Sequence, residues 1–187
     1  MRRFKLIHVL LLLALTPGVE AGYDLLKAEL AQVLISRAWV SGDDNSKPWP
    51  WADTVPVARL QIESLNLDTL VLGGGNGHAM AFGPGMSGAS AGLGNSGVTL
   101  ISAHRDTHFS ALENVSVGVE IKAQGKDRRW HYYVVSEINI IDDSRQMLLA
   151  DTPGPTLVLS TCYPFDVLVM NSTKRMLVSA QWVRAEA

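Results

Sequence analysis

Cysteine is nearly absent from this chain, since Cys162 is the only one among 187 residues. A single thiol cannot form an internal disulfide, so no disulfide framework supports the fold. An excess of charge of one sign is also lacking, because 16 basic and 18 acidic residues leave a net charge of −2. A nucleic-acid-binding protein would carry a basic face, and the sequence predicts no such partner.

Long apolar runs are absent as well. The N-terminal run Leu6–Leu15, interrupted only by His8, is about half the length of the roughly 20 residues that span a bilayer as a helix. Basic residues at positions 2, 3 and 5 precede it, and small residues follow up to Ala21, which is typical of a signal peptide. Two outcomes stay open: cleavage after Ala21, or retention as a membrane signal anchor, which we favour. Either outcome predicts a domain on the periplasmic, extracytoplasmic side of the cytoplasmic membrane.

The sequence predicts three segments. Residues 1–21 form the signal peptide or anchor, residues 22–53 an amphipathic helix and a Pro/Trp-rich linker, and residues 54–187 a single β-rich domain. Within the helix, expected over Tyr23–Trp39, one apolar face contains Leu26, Leu30, Val33 and Leu34. The linker from Ser41 to Asp53 has no periodicity and is expected to be exposed.

The third segment is dominated by short β-branched and apolar runs. Seven or eight such strands with few helices predict a closed or nearly closed β-barrel. The glycine-rich stretch Gly73–Gly97 lacks the lysine of a phosphate-binding loop and is interpreted as a long loop packed over the sheet. The predicted strands are Val55–Gln61, Asp68–Leu72, Gly97–Ala103, Val119–Ala123, Arg129–Ile141, Leu157–Thr161 and Arg175–Val183.

Cys162 comes at the end of one of these strands, directly before Tyr163-Pro164. A thiol on a rigid strand end is held in fixed geometry and remains accessible, which suits a nucleophile. The alternative is a small packed apolar residue, the usual role of a free cysteine.

Two other residues are candidates to act together with the Cys162 thiol in catalysis. His104 follows the buried run Val98–Ala103, and an imidazole there suits a general acid and base. His104 and His108 are spaced like a metal-binding pair, but the preceding run is strand-like and the glutamate of a helical zinc motif is missing. Arg175 begins the last strand and would lie near Cys162 if the two strands are antiparallel neighbours, where it could bind an oxyanion. An exposed charge is its alternative role.

These stretches resemble the sortase family of bacterial cysteine transpeptidases. Gly94–Asp106 is similar to the family's glycine-asparagine turn and the strand that ends in its catalytic histidine, and Thr156–Cys162 is similar to its threonine-leucine-x-threonine-cysteine signature. The resemblance to the family covers about residues 24 to 184. Within the family, the chain resembles the Gram-negative subgroup, often called class GN. The stretches that resemble this subgroup are Lys27–Leu34, Arg37–Trp39, Pro48–Asp53, Ala81–Gly85 and His104–Phe109.

The resemblance implies an eight-stranded sortase β-barrel as the catalytic domain, with Cys162, His104 and Arg175 as its catalytic residues and no cofactor or metal. It implies a transpeptidase that cleaves a C-terminal sorting signal of an exported protein through a Cys thioester and passes it to an amine acceptor. An exported cysteine peptidase that only hydrolyses, and an inactive membrane-tethered binding module, remain alternatives. An L,D-transpeptidase is disfavoured, because its cysteine stands in a Ser-x-Gly-Cys setting beside its arginine, whereas Tyr163-Pro164 follows here.

Overall fold

The structure is a computed structural model that describes residues 27–43, 45–74, 80–142, 154–165 and 172–186. A helix α1 spans residues 27–41 and precedes eight strands and two short 3-10 helices, Glu63–Leu65 and Ser110–Asn114. The predictions for residues 1–21 lie outside the described residues. The strands are β1 (Pro56–Ile62), β2 (Leu67–Gly73), β3 (Gly85–Met86), β4 (Gly97–Ser102), β5 (Glu120–Gly125), β6 (Trp130–Ile141), β7 (Pro155–Cys162) and β8 (Arg175–Glu186).

The eight strands close into one barrel in the order β1-β2-β3-β4-β7-β8-β6-β5. This confirms the mostly-β barrel predicted from the sequence. Most neighbours are antiparallel, but β2 pairs with β3 and β4 pairs with β7 in parallel. Because β4 and β7 run in the same direction, both strands end at the same end of the barrel.

The barrel interior is filled by alternate residues of the strands, as the period-2 pattern predicts. Fully buried side chains such as Leu60, Ile121, Leu159 and Val178 form one core cluster. The glycine-rich stretch is more ordered than the sequence indicates, since it contributes the two-residue strand β3 between β2 and β4. A strand this short leaves no periodic signal in the sequence.

Gly94 fixes the turn that leads into β4. It has a φ of +74°, and a side chain there would collide with the buried ring of His131. Its backbone N–H donates to the Tyr133 hydroxyl at 2.9 Å. Glycine is therefore required both by the backbone conformation and by the close approach to β6.

Helix α1 packs on the outside of the barrel, with a different face from the one predicted. Its buried residues are Ala31, Ile35, Ala38 and Trp39. Of the predicted apolar residues, Leu30 and Val33 are exposed, Leu34 is half-buried, and Leu26 lies outside the described residues. Two stripes of apolar residues run along this helix. The stripe that contains Ala31 and Ala38 faces the barrel, and its small side chains let the helix lie close to the sheet. Ile35 packs with Leu72 of β2. No helix within the described ranges is long and apolar enough to cross a membrane.

The segment after α1 is only partly exposed, which corrects the prediction of an exposed linker. Pro48 and Ala52 are buried. Trp49 packs edge-to-face against Phe82 with ring centroids 5.2 Å apart, an arrangement favoured by the ring quadrupoles. The linker thereby holds the loop before β3 against the outside of the barrel.

Candidate active site

Cys162 and Arg175 occupy directly opposed positions. They are register partners at the last position of β7 and the first position of β8. The backbone N–H of Tyr163 donates to the Lys174 carbonyl at 2.9 Å and extends the pairing by one residue. Opposed residues in an antiparallel pair have Cβ atoms roughly 4.5–5.5 Å apart, so a guanidinium can reach the space above the thiol.

Both side chains face the outside of the barrel. Thr161 and Met176, their neighbours along the chain, are buried inside. Successive residues of a strand point to opposite faces, so Cys162 and Arg175 point outward, and both are partly exposed. The sole thiol of the chain is therefore accessible from solvent.

His104 reaches the same outer surface from the other side of β7. Strand β4 is in parallel register with β7, with Ser102 opposite Ser160. Two positions further along each chain come His104 and Cys162. Since Ala103 is buried in the core and His104 is exposed, the imidazole lies on the outer face beside the strand that carries the thiol.

Thr161 aligns the ends of β4 and β7. Its buried hydroxyl donates to the Ala103 carbonyl at 2.9 Å, and the Ala103 N–H donates to the Ser160 carbonyl at 3.1 Å. These bonds lie one or two residues before His104 and Cys162, so they fix the relative position of the two side chains. Serine or threonine is the residue type that supplies such a hydroxyl within a strand.

Arg105 joins the segments that follow the two strands. Its guanidinium donates to the Pro164 carbonyl and pairs with Asp106 at 3.2 Å. The side chain is only 10% exposed, so this contact is shielded from solvent. The loop that carries His104 is thereby fastened to the backbone two residues after Cys162.

His108 lies on the turn that follows His104. The turn is closed by a bond from the Phe109 N–H to the His104 carbonyl at 3.1 Å, and Phe109 is buried in the core. Burial lowers the pKa of His108, and the nearby His104 lowers it further. A His108 imidazole therefore favours the neutral form near neutral pH.

The family model described as the sortase domain matches residues 60–183. This chain belongs to the sortase family. The matched range includes every strand of the barrel except the first residues of β1 and the last residues of β8. A comparison with curated proteins finds no significant match.

Solved sortases share the fold. Sortase A of Corynebacterium diphtheriae has a TM-score of 0.63 and 22% identity, with 84% of each chain covered. Sortase A of Listeria monocytogenes has a TM-score of 0.62 and 20% identity, covering 70% of this chain and 89% of that one. A Clostridium perfringens sortase D5 transpeptidase has a TM-score of 0.61 and 21% identity, covering 70% and 80%. These likenesses establish the sortase barrel.

The structure thus brings together the three residues predicted from the sequence, Cys162, His104 and Arg175. Sequence reasoning missed the structural parts of Thr161 and Arg105. The signal for Arg105 is its position, because it directly follows the candidate histidine at a strand end. A basic side chain that is buried at such a position must find a hydrogen-bond partner. Its partner, the Pro164 carbonyl, is 59 positions away and needed the strand pairing to be known.

Proposed function

We propose that this sortase is a cysteine transpeptidase of the Gram-negative subgroup. It cleaves a C-terminal sorting signal of an exported protein and joins the released carbonyl to an amine acceptor. The observation that supports this most is the order across three adjacent chain segments: His104, Cys162 and Arg175 lie side by side on the outer face of the barrel. An acid/base, a nucleophile and an oxyanion donor are the groups that acyl transfer needs.

In the first half-reaction the Sγ atom of Cys162, as thiolate, attacks the carbonyl carbon of the scissile peptide bond. The carbonyl oxygen becomes an oxyanion and accepts hydrogen bonds from Arg175. His104 gives a proton to the nitrogen of the leaving amine, the C–N bond breaks, and a thioester remains on Cys162. The planar guanidinium suits this role because its donors have fixed directions.

In the second half-reaction the nitrogen of the acceptor amine attacks the thioester carbonyl carbon. His104 takes the proton that this nitrogen loses, the C–S bond breaks, and the Cys162 thiolate is regenerated. A new amide bond joins the exported protein to the acceptor. The neutral imidazole left by the first step is the base that the second step requires.

The subgroup assignment is supported by the sequence stretches that resemble this subgroup, among them Arg37–Trp39, Pro48–Asp53 and His104–Phe109. We also propose that the barrel acts on the periplasmic side of the cytoplasmic membrane, with residues 1–21 as its signal peptide or anchor. Fractionation of cells that express the full chain tests this, since a retained anchor leaves the protein in the cytoplasmic membrane and a cleaved signal peptide leaves it in the periplasm. Recovery of the protein from the cytoplasm would contradict both.

The transfer itself is tested with a library of peptides that copy the C-terminal segments of exported proteins. The full chain is incubated with the library and triglycinamide, and products are identified by mass spectrometry. We expect one peptide class to yield a shortened product that carries triglycinamide in a new amide bond. Hydrolysed products alone would instead favour a peptidase, and no cleavage of any peptide would contradict both.

A further inference from the structure

A cavity of about 560 Å³ lies on the outside of the barrel, beside the candidate active site. One wall is the segment directly after His104, with Thr107, His108 and Ser110. The opposite walls are the start of β2, with Asp68, and the first turns of α1, with Glu29 and Gln32. The function proposed above uses none of these side chains. We call this space the α1 cavity.

The α1 cavity opens at the end of the barrel where the chemistry is proposed. Strands β4 and β7 end there. Strand β2 is parallel to β3, and β3 is antiparallel to β4, so β2 runs opposite to β4 and begins at this end. From β7 to β2 the sheet crosses β4 and β3, which is three strand spacings, or roughly 14 Å. His104 follows β4 and thus stands between Cys162 and the cavity.

The position of the helix that closes the cavity is fixed. Gln32 of α1 donates from its side-chain amide to the Phe82 carbonyl at 2.7 Å. Ile35, one turn further along, is 1% exposed against the barrel. The first turns of α1 are therefore held over β2 at a defined distance, and the space between them is a feature of the packed fold.

The charged residues that line the α1 cavity are acidic. They are the carboxylates Glu29 and Asp68, and none of the described residues that line the cavity is a lysine or an arginine. Asp68 is already paired with Arg59 at 2.6 Å, and this guanidinium holds the pKa of Asp68 below its usual value. Glu29 is exposed and forms no ion pair with any described residue. His108 adds no positive charge when neutral, so Glu29 makes the cavity suitable for a cationic group.

We propose that the α1 cavity binds the body of the amine acceptor, a peptide-like molecule that spans the roughly 14 Å from β7 to the β2 wall, about four extended residues, and carries a positive charge on the residue that reaches the cavity. This inference rests on the proposed transpeptidase function. The acceptor's amine extends past His104 to the thioester carbonyl on Cys162, while its cationic group lies beside Glu29. The nitrogen forms the new C–N bond, the C–S bond breaks, and His104 takes the proton.

Two tetrapeptide amides test the charge preference. Gly-Gly-Gly-Lys-amide places a cation at the fourth residue, and Gly-Gly-Gly-Glu-amide places an anion there. With the acyl-enzyme formed from a donor peptide, the ratio of amide product to hydrolysed product is measured for each. We expect the lysine probe to give a ratio about twofold to fivefold higher, the scale of one exposed charge pair. Glu29→Gln should remove the preference, and the matched control Glu137→Gln, on exposed β6, should retain it.

A steric variant tests the cavity itself. Ala28 lies on an exposed helix position and lines the cavity, so Ala28→Trp fills it without disturbing the buried face of α1. We expect the amide-to-hydrolysis ratio with Gly-Gly-Gly-Lys-amide to fall at least about tenfold, as expected for loss of a specific contact surface. Hydroxylamine, which is too small to need the cavity, should be affected much less. Ser36→Trp, on the same helix but outside the cavity, is the control.

Binding to the resting protein gives a readout that needs no donor peptide. Titration of the ¹⁵N-labelled full chain with Gly-Gly-Gly-Lys-amide should shift the backbone resonances of residues 28–32 and 107–111, and Glu29→Gln should weaken the shifts. Shifts confined to other regions, or ratios unchanged in both Glu29→Gln and Ala28→Trp, would overturn the proposal. Absence of an acyl-enzyme in the wild-type chain would overturn the transpeptidase function and is seen before any amine is added.

Discussion

Cys162 and Arg175 are register partners across β7 and β8, and both face outward at the same end of the barrel. Their separation is set by backbone hydrogen bonding and does not depend on flexible loops. A functional pair on adjacent strands is held more rigidly than one on loops. This relationship is the structural basis for the proposal that Arg175 binds the oxygen of a carbonyl held at Cys162.

We expect Arg175→Lys and Arg175→Ala both to lower kcat by about 10² to 10³, the scale of removing one oxyanion donor. Lysine keeps the charge but loses the planar fork that directs two donors. The measurement is kcat for cleavage of a donor peptide. The neighbouring exposed Lys174→Ala is the control. Near-normal activity of Arg175→Lys beside an inactive Arg175→Ala would mean that charge alone helps the Cys162 thiolate.

His104 and His108 are four positions apart and differ in surroundings. His104→Ala should lower the rate of Cys162 acylation by about 10² to 10⁴, because the leaving amine loses its acid. His108→Ala should lower this rate less than about tenfold, since His108 lies on the turn behind the proposed acid and base. Single-turnover acylation kinetics make the comparison. Equal losses in the two variants, or recovery on adding zinc, would point to a shared metal site.

Arg105 is predicted to be a positioning residue. Without its bond to the Pro164 carbonyl, the loop that carries His104 is free to move relative to Cys162, and small misplacements cost about 10² in rate. Arg105→Ala should therefore lower kcat by about that factor while KM changes little, and Arg105→Lys should recover part of the loss. Arg184→Ala, an exposed arginine on β8, is the control.

A purely structural role for Arg105 would give a different pattern. The midpoint of chemical unfolding would then fall in Arg105→Ala, and Arg105→Lys would restore stability and kcat in parallel. The unfolding curve and the kcat and KM values of the same two variants distinguish these cases.

Thr161 is predicted to matter for stability as well as alignment. Thr161→Val keeps the shape of the side chain but leaves the buried Ala103 carbonyl without the hydroxyl, a loss of about 1–3 kcal/mol in the free energy of unfolding. Thr161→Ser keeps the hydroxyl and removes one methyl group, about 0.8 kcal/mol of buried apolar surface. Urea unfolding of the two variants checks the order. A Thr161→Val variant as stable as Thr161→Ser would show that the hydrogen bond contributes little.

The barrel and the candidate site could be predicted because the strand-like runs, the single cysteine and the histidine at a strand end are local features, and Gly94–Asp106 and Thr156–Cys162 resemble the sortase family. Burial of Thr161 and Ala103 in the core forces Cys162 and His104 outward, and a strand that starts at Arg175 brings that residue opposite the end of the previous strand. The strand ends are local features that a sequence displays directly, whereas the direction of each side chain follows from the strand pairing.

Other features depended on tertiary packing and were missed. In α1 the stripes containing Leu30 and Ile35 have the same helical period, and only the shape of the barrel surface at Leu72 selects the second. The two-residue strand β3 is too short to show a period. The α1 cavity joins residues from α1, β2 and the turn after His104, which are distant in sequence, so no local pattern reveals it.

The central claim is that Cys162 forms a covalent acyl intermediate. Intact-mass spectrometry of the full chain, quenched in acid at early times after mixing with a cleavable donor peptide, tests this directly. We predict an increase in mass equal to the acyl portion of the donor, located on Cys162 by fragmentation, removed by hydroxylamine and absent in Cys162→Ala. Turnover of the donor by Cys162→Ala, or turnover by the wild-type chain with no adduct at any time, would contradict the account.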